Sequence, residues 1–89
     1  MIRFPPPQTP LNQHSLVSLE RWFIDLGARQ SNQNPSIWIL SLPNWTTTIQ
    51  LKEDELNVTW DMNGSLSSCS FSYRLLRSDV EAAINQGPI

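Results

Sequence analysis

Trp45-Thr46-Thr47-Thr48-Ile49-Gln50-Leu51 and Leu56-Asn57-Val58-Thr59-Trp60 share one pattern, a bulkier side chain alternating with a small polar one. Cys69-Ser70-Phe71-Ser72-Tyr73-Arg74-Leu75 repeats it. A period of two is the mark of a strand with one face covered and the other in water. Charged residues 52–55 separate the first two runs, and Asn63-Gly64, the strongest short hairpin signal, separates the second from the third. Three such runs joined by tight turns make an antiparallel meander. Upstream, Ile37-Trp38-Ile39-Leu40-Ser41-Leu42 is apolar without alternation and ends at Pro43, which suits a central strand. The polar stretch from Arg29 to Pro35 reads as a loop, so the expected sheet has four strands.

Two helices flank this meander. Leu16, Leu19, Trp22, Phe23 and Leu26 recur at steps of one, three and four, with Ser15 placed to cap the start and Gly27 to end it. At the other end, Ser78 and Glu81 have the spacing of a capping box, and Asp79 and Glu81 put negative charge in the first turn. Gly87-Pro88 stops this second helix, whose Val80, Ala83 and Ile84 form an apolar stripe. The expected fold is α+β: a two-layer sandwich of helix, four-stranded antiparallel meander and helix, with both helices on one face. Pro5, Pro6, Pro7 and Pro10 make residues 1–14 a proline-rich arm, extended as polyproline II or lying on the domain of residues 15–89. Pro7 and Pro10 have P-x-x-P spacing, but a plain arm is the simpler reading.

Eighty-nine residues make one domain, and four tryptophans and three phenylalanines let a small core bury more area per residue. The net charge of −2 argues against a nucleic-acid partner, and a single lysine, Lys52, against an anionic membrane surface. One cysteine allows no internal disulfide. No apolar run reaches transmembrane length, and the start shows no apolar signal-peptide core, so the expected setting is a reducing cytoplasm or its plastid equivalent. The three Asn-x-Ser/Thr sequons, at Asn44, Asn57 and Asn63, are then ordinary turn and strand residues.

The chemistry-bearing residues form no constellation. His14 is the only histidine and Cys69 the only cysteine; a thiol nucleophile would need the two in contact. Cys69 falls on the apolar side of its strand, where a buried, inert thiol is the simpler reading. Glu53, Asp54 and Glu55, with Asp61 near in sequence, lack the spacing and glycine of a calcium loop. The three glycines make no phosphate-binding loop. No catalytic residue, metal site or cofactor is expected. That leaves surfaces. If Ile37 and Ile39 face the helices, Trp38, Leu40 and Leu42 join Thr46 and Thr48 on the far side of the sheet. Those five, with Pro5, Pro6 and Pro7 of the arm, form the expected protein-binding surface. The alternative is that the arm's proline rings simply cover Trp38.

Thr9-Pro10-Leu11, the Leu16/Leu19/Glu20/Trp22 helix ending in Leu26-Gly27, Pro43-x-Trp45, Tyr73-x-Leu75, Arg77 to Ile84 and Gly87-Pro88 form an ordered set. In this set the chain resembles a small family of uncharacterised cyanobacterial proteins of similar length, a domain of unknown function. Such domains also occur joined to J-domains, which implies a link to Hsp70-type chaperone work or complex assembly. The chain itself has no His-Pro-Asp triplet. The resemblance implies no catalytic residue.

The expected function is that of a non-catalytic protein-interaction module, an adaptor or assembly factor for a larger complex, in photosynthetic cells if the resemblance holds. A binder of a small apolar or aromatic ligand, held between helices and sheet, is the alternative, and an enzyme using Cys69 the second alternative. The open sheet face and the edge strands are the expected routes for any self-association.

Overall fold

The computed structural model describes residues 6–87. After a 3₁₀ turn, Leu11–Gln13, come helix α1 (Leu16–Leu26) and strands β1 (Arg29–Gln30), β2 (Ile37–Ser41), β3 (Thr46–Leu51), β4 (Glu55–Met62) and β5 (Ser65–Ser72). Helix α2 (Arg77–Gln86) follows. The strands form one antiparallel sheet in sequence order. The fold is α+β, with five strands where four were expected. The extra one, β1, pairs Arg29 with Ile39 and Gln30 with Trp38. Its pairing is made by the main chain and both its side chains are exposed, so no hydrophobic alternation announces it.

The Asn63-Gly64 turn joins β4 to β5 as expected. Both residues have positive φ, 54° and 88°, as a two-residue turn that matches strand twist requires. Asp61 Oδ1 accepts from Gly64 N–H at 2.9 Å and closes it.

Register decides which way β2 faces. Trp38 lies opposite Ile49, Ile49 opposite Val58, and Val58 opposite Cys69. Residues directly opposite in a ladder share a face. Trp38 and Leu40 therefore point to the helices and are 4% and 3% exposed, while Ile39 points away. This reverses the expected orientation of the strand. In a run of Ile, Trp, Ile and Leu no polar residue marks the outer side. Orientation is then set by the partner strand, where a slip of one residue would exchange the faces.

Phe23 contacts Trp22 and Trp38, with ring centroids 5.3 and 5.6 Å apart. Trp60, on the same sheet face as Trp38 by register, donates from Nε1 to the Ile84 carbonyl of α2 at 3.4 Å. Ile49, Leu56, Val58, Val80 and Ile84 fill the space around these rings.

Helix α1 begins and ends as its sequence proposes. Ser15 Oγ accepts from Ser18 N–H at 3.1 Å, and Gly27 closes the last turn. Helix α2 does not. It begins at Arg77, and its N-cap is Leu76, which gives no side-chain bond. The expected Ser78–Glu81 capping box is absent. Its place is taken by the arm: Arg77 N–H donates to Thr9 O at 3.1 Å and Ser78 N–H to Pro7 O at 2.8 Å. Here the arm is not extended polyproline II: Thr9 N–H closes a turn onto Pro6 O at 3.0 Å, and the Pro7 carbonyl is left to accept from α2. Leu11 N–H to Leu75 O and Asn12 N–H to Tyr73 O continue the attachment, and the Leu11 side chain is buried in the core. At the far end of α2, a Cβ on Gly87 would lie 2.6 Å from Trp45 Cζ2, so the indole closes on bare backbone there.

Trp38→Ala is expected to cost about 3–5 kcal/mol of unfolding free energy in denaturant melts, the penalty of a large core ring. Trp38→Phe should cost much less, because it also removes an indole N–H that is buried without a hydrogen-bond partner among the described residues. A loss under about 1 kcal/mol for Trp38→Ala would place the ring outside the core.

Candidate functional site

The residues expected to form one binding surface are separated by the fold. Trp38 and Leu40 belong to the core, and Leu42 is half-buried against it. Thr46 and Thr48 lie on the opposite face, exposed and half-buried. Pro6 and Pro7 are exposed on the arm that caps α2, and Pro5 lies outside the described residues. An aromatic patch centred on Trp38 is therefore not a surface of this structure, and the proline rings are not needed to cover it.

The helix-free face is polar instead. One row across it reads Arg29, Ile39, Thr48, Thr59, Ser68, and the next reads Ile37, Gln50, Asn57, Ser70. Asn57 Oδ1 accepts from Ser70 Oγ at 2.6 Å across the last pair. Beside this face, Arg29, Gln30, Asn32 and Gln33 help to line an open hollow of about 790 Å³.

Cys69, His14 and Tyr73 each have a main-chain partner. The Cys69 thiol points weakly at Ser70 O, 3.8 Å away. His14 is buried, with Nδ1 3.0 Å from Pro10 O, and so helps to fold the arm. Glu53 and Asp54 are exposed in the turn between β3 and β4, which Lys52 N–H closes onto Glu55 O. No group of three or more His, Cys, Asp or Glu among the described residues is arranged to hold a metal ion. Tyr73 reaches over the same turn and donates from its hydroxyl to Lys52 O at 2.6 Å. Burial holds its phenol above the ordinary 10.0, and the negative charge of Glu55 adds to the shift.

Glu81, free of the capping box, does tertiary work. Its Oε1 accepts from Trp22 Nε1 at 2.7 Å and stands 3.9 Å from Arg77 Nη1. The Arg77 guanidinium lies over the Trp22 ring, 5.9 Å from its centroid. These three side chains join α1 to α2.

The apolar surface that sequence reading missed is on α1. Its buried residues are Ser18, Leu19, Trp22 and Phe23. Leu16, Val17 and Ile24 point outward and are 60%, 55% and 52% exposed. Leu16 was expected in the core stripe. A signal existed, since Val17 and Ile24 are seven residues apart and hence on one face of a helix, flanking Arg21. Arg21 is paired there with Asp25 at 3.3 Å. No helix among the described residues is long and apolar enough to cross a membrane.

The architecture is that of a small α+β domain in which an antiparallel meander is packed by the rings of an N-terminal helix and closed by a C-terminal one. The chain belongs to the family described as Protein of unknown function (DUF3143), whose model matches residues 26–87. That stretch holds the whole sheet and α2, and begins at the last residue of α1. No curated protein and no solved structure matches the chain.

Glu81→Ala strands the buried Trp22 N–H and should cost about 1–3 kcal/mol in chemical melts, whereas Glu81→Gln keeps an acceptor oxygen and should cost less than half as much. Equal losses would mean that the charge facing Arg77, not the bond to Trp22, carries the contact.

Tyr73 gives a pH dependence of definite sign. The fold holds the phenolic proton more tightly than the unfolded chain does, so its contribution is complete below pH 10 and declines as pH rises through the folded value. Thermal melts of Tyr73→Phe should start lower at neutral pH, through loss of the bond to Lys52 O, and should fall less steeply than wild type in alkaline buffer. Parallel alkaline declines would remove Tyr73 as the titrating group.

Proposed function

We propose that this protein is a non-catalytic interaction module, an adaptor or assembly factor that binds another protein within a larger complex. The observation that carries the proposal is the outward face of α1. Leu16, Val17 and Ile24 are each more than half exposed on a helix whose opposite face is locked into the core. Single exposed apolar residues are ordinary, but Val17 and Ile24 share one face of a rigid helix, and Leu16 adds apolar surface at its start beside Pro35 and Leu51. The net charge of −2 favours a protein over a nucleic acid as the partner. On the resemblance to cyanobacterial proteins, the proposal extends to a complex of photosynthetic cells and to chaperone-linked assembly in the cytoplasm.

The α1 stripe lies outside the stretch matched by the family model, so recognition through it does not follow from family membership. An apolar small-molecule binder has less support. The Phe23 ring packs against both Trp22 and Trp38 in the space between helix and sheet that such a ligand would occupy.

Val17→Glu combined with Ile24→Glu should leave the melting temperature within a few degrees of wild type, because both positions are exposed. Affinity purification from the native host should recover a stoichiometric partner with wild type and lose it with the double variant. Equal recovery by the two baits would remove α1 as the binding face.

A further inference from the structure

The two edges of the sheet are protected very differently. Edge strand β1 is two residues long, and brevity is one of the ways proteins blunt an edge. The other edge, β5, runs for eight residues from Ser65 to Ser72. It contains no proline, no lysine and no other charged residue, and its register with β4 runs unbroken from Met62–Ser65 to Glu55–Ser72, without a bulge. Short length, charge, proline and a bulge, four of the devices that natural sheets use to discourage edge pairing, are missing from it.

The main-chain geometry can be followed along the strand. A two-residue turn makes Met62 and Ser65 a pair that exchanges both hydrogen bonds. Alternation then directs Ser65, Ser67, Cys69 and Phe71 toward β4, and turns the N–H and C=O groups of Leu66, Ser68, Ser70 and Ser72 outward. The Ser72 carbonyl agrees, since it accepts from Leu75 N–H outside the ladder at 3.1 Å. Among the described residues, Leu66, Ser68 and Ser70 make no backbone bond beyond the sheet. Their side chains are exposed, and the two serines are too small to obstruct an incoming strand.

The strand is also the least covered of the long ones. None of its residues is buried, although β2, β3 and β4 each have at least two that are. Cys69 and Phe71 face the core side and are only half-buried, and Leu66 is 68% exposed.

We propose that β5 pairs antiparallel with β5 of a second copy of this chain, about a two-fold axis through Cys69, to give one continuous ten-stranded sheet. This is independent of the reading of α1 above. A second copy fits because the edge is self-complementary. The axis sets Ser68 against Ser70 of the partner subunit and Leu66 against Ser72 of the partner subunit, so the four outward residues map onto their own set. The Ser72 carbonyl has a second lone pair for this bond. No charge on either strand opposes the approach. The half-covered Phe71 ring gains the neighbouring strand as a wall. A strand from a different protein would share the backbone bonds but not this symmetry.

Cys69 reports directly on the axis. It would oppose its own copy as a non-hydrogen-bonded pair, with Cα atoms about 4.5 Å apart, inside the disulfide range of about 4.4–6.8 Å. The test is sedimentation of the full chain in reducing buffer, from micromolar to millimolar concentration, followed by brief oxidation with diamide. Diamide takes up the two electrons and two protons released when two thiols join. The expected result is a reversible species of twice 10.2 kDa that diamide converts to a covalent dimer.

Ser70→Lys places an ammonium on an exposed edge position and should raise the dissociation constant roughly tenfold or more with an unchanged circular dichroism spectrum. Ser70→Pro removes an N–H that points away from β4, and should act in the same direction. If the proline variant does not fold, the lysine variant decides. A wild-type chain that stays monomeric throughout overturns the proposal. So does a dimer untouched by Ser70→Lys, or one that diamide fails to link through Cys69.

Discussion

The pairing of Trp38 with Ile49, and of Ile49 with Val58, is the constraint on which the rest of the structure depends. It puts the largest ring of β2 on the same side as the inward residues of β3 and β4. That side becomes apolar enough to hold a helix, and Phe23 packs against Trp38 because of it. With the register shifted by one residue, Trp38 and Leu40 would face water and α1 would lose its floor. Four rings, Trp22, Phe23, Trp38 and Trp60, are the largest side chains of this small core, so the orientation of the strand that carries Trp38 decides how the core is filled.

The second organising feature is the exchange of partners around α2. The local sequence offers Ser78 and Glu81 to cap that helix, yet the cap is made by carbonyls of Pro7 and Thr9, far away in the chain. Glu81 is thereby released to accept from Trp22, which holds α1 in place. Arm, α2 and α1 form a closed sequence of contacts in which each occupies the group another would have used. The proline-rich segment is consequently an integral part of the domain's hydrogen bonding from Pro7 to Asn12. Its prolines suit the task, because they lose little conformational freedom on docking and need no partner for a missing N–H.

Much of the fold was legible because its signals are local. Period-two alternation marks β3, β4 and β5, Asn63-Gly64 marks their tightest turn, and Ser15 and Gly27 bound α1. The candidate surface was not legible. Its reading turned on which way Trp38 faces, and a strand of consecutive apolar residues carries no mark of that. The exposed apolar face of α1 was partly legible in the seven-residue spacing of Val17 and Ile24, but Leu16 drew attention to the wrong stripe. The openness of β5 could be read only in part. Its lack of charge is in the sequence, but its position at the sheet's edge is a property of strand order.

By itself, then, the sequence determined the type of each long element and its turns, because side-chain period and backbone preference act over a few residues. Only the tertiary structure decided the orientation of β2, the partner of Glu81, the cap of α2, the existence of β1 and the exposure of β5. Each of these is settled by a group distant in the chain, through register, main-chain pairing or competition for a hydrogen bond. No short-range pattern encodes such choices, since the same residues satisfy their local preferences either way.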